Sequence, residues 1–128
     1  MAIVEGVRIV RLSDVAPVAL AGDSWSRVLI SSSTVGSNEA CMGYSVFSPG
    51  MATDDLSHEV EELAYVVSGS GELRMRDGVL SLSEGVAAYI APHIWHTVAN
   101  TGTQDLVMVF AFTSSDYPPT KHAPSRGH

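Results

Sequence analysis

Short apolar runs recur along the chain, most of them bounded by Gly, Ser, Asp or Pro. They fall at 7–12 ("VRIVRL"), 26–31 ("SRVLIS"), 41–47 ("CMGYSVF"), 58–67 ("HEVEELAYVV") and 71–76 ("GELRMR"). Three more follow at 85–92 ("GVAAYIAP"), 95–100 ("WHTVAN") and 106–112 ("LVMVFAF"). β-Branched and aromatic residues dominate them, and a new run begins about every 8–12 residues, which predicts an all-β sandwich or barrel. No segment keeps a helical period of apolar residues over three turns. "SGSG" (68–71) and "RDG" (76–78) predict tight turns between antiparallel strands.

Residues two apart in a strand face the same side. If the fourth run begins early, Leu56, His58, Val60 and Glu62 share one face, and Glu59, Glu61, Leu63 and Tyr65 share the other. An imidazole and a carboxylate aimed into an apolar interior are costly unless they pair with each other or with a cation. His96, on the strand after the turn at Pro92, can join them from a neighbouring strand. In 41–47 the same alternation sets Met42 and Tyr44 apart from Cys41, and we expect Met42 and Tyr44 to line a pocket.

Composition narrows the partners. A chain of 128 residues suits one domain with one core, and 45% apolar against 16% charged residues excludes a disordered chain. A net charge of −7 with only 7 Lys plus Arg argues against nucleic acid or an anionic membrane as partner and agrees better with a small neutral or metal-chelating ligand. Cys41 is the sole cysteine, so no internal disulfide or cysteine zinc site can form. No secretory signal is visible and no window reaches the roughly 18 apolar residues of a membrane helix, so a soluble cytoplasmic protein is expected. Past Tyr117 the chain is proline-rich and almost without apolar residues. The expected organisation is a barrel over 1–116 and a tail over 117–128 that leaves it, with His122 and His128 as solvated tail histidines.

Two spaced patterns carry a family resemblance. Gly50, Leu56-Ser57-His58, Glu62 and Gly69 stand at the spacings of the first motif of the cupins, and Gly85, Ala91-Pro92-His93, His96 and Asn100 at those of the second. The sequence therefore resembles a cupin over residues 50–100. It departs in two places: Leu56 replaces the motif's first metal histidine, and His93 replaces its turn glycine. The resemblance implies a single double-stranded jelly-roll barrel, usually a homodimer, with a divalent metal held by His58, Glu62 and His96. Leu56 would then line the substrate pocket. Fe(II) is the expected ion and Zn(II) the alternative. Residues 27–50 further resemble small cupins described as polyketide cyclases or aromatases. The expected activity is a non-haem Fe(II) oxygenase acting on an enolisable or phenolic, oxygen-rich substrate. The alternatives are a non-redox cyclase, isomerase or lyase using Zn or another divalent ion, and a metal-poor ligand-binding cupin. His93 is the candidate catalytic base, set against the simpler reading of a turn residue with an unusual backbone angle.

Overall fold

The computed structural model describes residues 3–125. Its strands are β1 (Ile3–Val4), β2 (Val7–Arg8), β3 (Val18–Ala19), β4 (Trp25–Ile30), β5 (Cys41–Phe47), β6 (Asp55–His58) and β7 (Glu62–Ser68). They continue with β8 (Ser70–Met75), β9 (Gly78–Ser83), β10 (Ala87–Ile90), β11 (His96–Ala99), β12 (Leu106–Phe112) and β13 (Thr120–Ala123). A six-stranded sheet runs in the order β10-β7-β12-β5-β4-β3 and a five-stranded sheet in the order β13-β6-β11-β8-β9. All pairings within them are antiparallel. The two sheets enclose the core as a jelly roll, the expected all-β class.

β12 shows how the sequence makes this interior. Leu106, Met108, Phe110 and Phe112 alternate inward, and the three residues between them stay half-buried on the outer side. Leu106 and Met108 join Phe47, Val66, Leu73, Leu82 and Ile90 in one apolar cluster. Phe110 and Phe112 pack with Cys41 in a second. Complete burial of a side chain such as Leu106 or Phe112 stabilises the fold by about 1.5–3 kcal/mol.

Several expectations are corrected. The run 58–67 is not one strand: it bends at Glu59 and Val60, so β6 ends in one sheet and β7 begins in the other. The shared face inferred for His58 and Glu62 therefore does not exist, and the bend brings them together instead. "SGSG" is not a hairpin, because β7 and β8 lie in different sheets and the chain turns a corner at Gly69. Gly69 has φ +88°, and a Cβ there would strike the Asp105 carbonyl, so only glycine fits. "RDG" does close a hairpin, with Met75 opposite Gly78.

The segment after Tyr117 does not leave the barrel. β13 pairs with β6 from Thr120↔His58 to Ala123↔Asp55 and forms the edge of the five-stranded sheet. His122 is exposed as expected but sits 3.3 Å from Asp54, whereas His128 lies outside the described residues.

Candidate metal centre

Three strand ends build the site. His58 is the last residue of β6, Glu62 the first of β7 and His96 the first of β11. His58 Nε2 and His96 Nε2 each lie 3.3 Å from the same atom, Glu62 Oε1. The three donor atoms fall within 4.8 Å of one another, a spacing that could hold a metal ion. Both histidines are almost fully enclosed and Glu62 keeps 14% of its side chain open. Phe112 meets the His58 ring edge-on at 4.8 Å, with the two imidazoles 5.1 Å apart.

The hydrogen bonds fix which imidazole nitrogen is free. His96 Nδ1 is 2.9 Å from the Ile94 carbonyl, which can only accept, so Nδ1 carries the hydrogen. His58 Nδ1 is 2.7 Å from Thr120 Oγ1, whose own hydrogen is given to the Pro118 carbonyl at 2.9 Å. His58 Nδ1 must therefore be the donor too. With Nδ1 carrying the hydrogen, a neutral ring at either position turns a bare Nε2 lone pair toward Glu62 Oε1, which is buried with no hydrogen-bond partner. Three acceptors facing one another out of water are unfavourable unless a cation lies among them. A divalent ion fits this donor set, and two imidazoles with one carboxylate suit zinc and iron alike.

Burial pushes the Glu62 carboxyl up, but His58 and His96 beside it outweigh burial and hold it below the usual carboxylate value. Burial pushes the His96 imidazole down, and Glu62 outweighs that and raises it. Tyr117 is close by, its ring 5.8 Å from His58 and edge-on to Phe110 and Phe112. Nearly half of Tyr117 is open to solvent, yet burial of the rest, and then the Glu62 carboxylate, push its phenol up to about 12.

The donor cluster opens on a cavity of about 630 Å³ between the sheets, a volume suited to a small organic ligand. Its wall is mainly apolar, with Val28, Phe47, Leu82 and Met108 among the lining residues and Ser26 and Ser45 as a polar spot. Leu56 lines this cavity and pairs with His96 across the sheet. Met42 and Tyr44 do not line it. Met42 is exposed and Tyr44 stacks on Trp25 at 6.0 Å, while Cys41, Gly43, Ser45 and Phe47 face inward. The reason is steric: a Cβ on Gly43 would strike the Phe110 ring, so β5 turns its small residues to the core there.

His93 is also corrected as a catalytic base. It is exposed, lies outside the cavity wall and has φ +68°, the left-handed turn conformation. Its backbone N–H donates to the His58 carbonyl at 2.7 Å, which ties the turn before β11 to the end of β6. Asn100, the last motif residue, is likewise a scaffold: its amide donates to the Phe47 and Gln104 carbonyls and its oxygen accepts from the Gly102 N–H. Sequence reasoning missed Tyr117 and Thr120, whose only local signals were an aromatic and a β-branched residue within a proline-rich stretch.

Comparison with known proteins agrees with this architecture. The cupin domain family matches residues 43–112. The chain is a cupin. This cupin is 32% identical over 104 residues to protein SchB of Streptomyces halstedii, covering 80% of this chain and 75% of SchB. Among solved structures it resembles the polyketide cyclase RemF of Streptomyces resistomycificus, with a TM-score of 0.76 and 23% identity over 91% of this chain and 85% of RemF. A mutant of Bacillus subtilis oxalate decarboxylase OxdC superposes with a TM-score of 0.78 at 19% identity, over 88% of this chain but 31% of OxdC. These two structural likenesses establish the fold. Among the described residues no helix is long and apolar enough to cross a membrane.

Proposed function

We propose that this cupin is a divalent-metal-dependent enzyme that performs a non-redox cyclisation, or a related isomerase or lyase step, on a small enolisable poly-carbonyl or phenolic substrate. The observation that carries the metal is the buried Glu62 Oε1, which has no hydrogen-bond partner and lies 3.3 Å from the Nε2 atoms of both His58 and His96. His58, Glu62 and His96 would hold the ion. When bound, such an ion supplies Lewis acidity that lowers the pKa of an enol or phenol chelated to it. The apolar wall would exclude bulk water and hold the reacting carbons together. Tyr117, whose raised pKa keeps its phenol protonated at neutral pH, would donate a hydrogen bond to a substrate oxygen. The likeness to RemF, described as a polyketide cyclase, and the similarity of residues 27–50 to cupins of that kind support the substrate class.

The donor set itself favours a second reading, because two histidines and a carboxylate also suit Fe(II) oxygenases. Elemental mass spectrometry on tag-free protein purified without added metal tests both. We expect one ion per chain. Zinc, with no oxygen uptake after anaerobic iron loading, supports the cyclase reading. Iron with substrate-dependent oxygen uptake moves the assignment to the oxygenase. Protein that takes up neither ion is a metal-poor ligand-binding cupin.

A homodimer belongs to the same proposal. Leu63, Tyr65 and Tyr89 are exposed on the outer face of the adjacent strands β7 and β10, an apolar patch of the kind that marks an interface. Sedimentation velocity at two concentrations tests it, and a monomer at both would refute it.

A further inference from the structure

We propose that Thr120, on β13, is a positioning residue for His58, so that metal binding and docking of the C-terminal segment 117–123 are coupled. The inference rests on the metal reading above. It starts from the chain of hydrogen bonds that runs from His58 Nδ1 to Thr120 Oγ1 at 2.7 Å and on to the Pro118 carbonyl at 2.9 Å. Because the carbonyl takes the only hydroxyl hydrogen, the oxygen is left as an acceptor, and it can hold the His58 ring in one tautomer and one rotation. That ring state sends the Nε2 lone pair toward Glu62 Oε1.

His96 reaches the same state through a carbonyl two residues before it in sequence, whereas His58 depends on a residue 62 positions later. The two imidazoles are therefore secured very differently. His96 is oriented by its own turn. His58 is oriented by the edge strand of its sheet, and that strand is held on one side only, through its pairing with β6. The Tyr117 ring adds a second hold, packing edge-on against His58 and Phe112. If segment 117–123 lifts, His58 loses both its hydrogen-bond acceptor and an aromatic wall. The ring is then free to rotate or to exchange its proton to Nε2, and either removes a metal ligand. Linkage makes the effect reciprocal: an ion that needs His58 in this state must hold the segment down.

The test is Zn(II) affinity, measured by competition with a chromophoric chelator, for wild type, Thr120→Val and Thr120→Ser. Valine keeps the β-branched shape and loses the acceptor, so affinity is expected to fall by about 10-fold or more. Serine keeps the hydroxyl and is expected to restore most of it. In parallel, hydrogen exchange of the wild type should show slower exchange of the β13 amides with zinc than without. Thr120→Val binding zinc as tightly as wild type, or β13 exchange unmoved by zinc, overturns the proposal while leaving the metal reading standing. Should the valine variant fail to fold, the exchange measurement on wild type decides alone. Wild type that binds neither Zn(II) nor Fe(II) overturns the metal reading and this inference with it.

Discussion

The two ends of the space between the sheets are built by the same strands and finished in opposite ways. At one end Leu106 and Met108 of β12 join Phe47, Val66 and Leu73 in an apolar cluster. At the other, Phe112 of the same strand meets His58 with Phe110 packed beside it, and Glu62 and His96 complete a polar cluster walled by aromatic rings. Strand interiors supply the first end, where period-two alternation decides what is buried. Strand termini supply the second: each of the three donors is the first or last residue of its strand. Alternation locates a core, but the chemistry sits where alternation stops.

That contrast can be broken most sharply at Glu62. Glu62→Ala should abolish metal binding, taking elemental mass spectrometry from one ion per chain to background, with circular dichroism unchanged because the pairing of Glu62 in β7 runs through the backbone. Leu106→Ala should do the reverse. It empties a fully buried site and costs about 2–5 kcal/mol by urea unfolding, with metal stoichiometry intact. Gly69→Ala should cost about 1–3 kcal/mol in the same assay, since its positive φ and the Asp105 carbonyl leave no relaxed place for a Cβ. Met42→Ala, on the outward face, should change stability by less than about 0.5 kcal/mol and leave ligand binding in the cavity unaltered.

The smallest effect is expected from acid titration of Asp116. Its carboxylate accepts from the Ser32 hydroxyl and backbone N–H, and these bonds hold its pKa below the ordinary 3.8. A depressed folded-state pKa means that the contribution is complete above that ordinary value. It is lost as pH falls through the lower folded value. Asp116→Asn should flatten this part of the stability profile measured by thermal melts at stepped pH.

Much of this was legible in the sequence. Runs 41–47 and 106–112 became β5 and β12 with the same limits, because both are long, rich in apolar and aromatic residues and followed by a polar residue. Motif spacing names His58, Glu62 and His96, which the fold brings within 4.8 Å of one another, although the first two share no strand face. The bend at Glu59 and Val60 was hidden because nothing apolar in the run breaks its periodicity. Inside and outside were exchanged for Met42 and Tyr44, since alternation gives two faces without saying which is inner. The ring of Phe110, a residue 67 positions beyond Gly43, decided it. β13 was missed for a related reason: Thr120–Ala123 has no apolar pattern and becomes a strand only because β6 offers it an edge.

The long reach from His58 to Thr120 also has a bearing on biosynthesis. Chains are made from the N-terminus, so Thr120 is added after every residue of β6, β7 and β11, the three strands that carry the donors. Until β13 docks, β6 has one edge unpaired and His58 lacks its Thr120 acceptor. Maturation of the centre is thus tied to the docking of β13, and a chain shortened before residue 120 would keep the other strands of both sheets around an unfinished site.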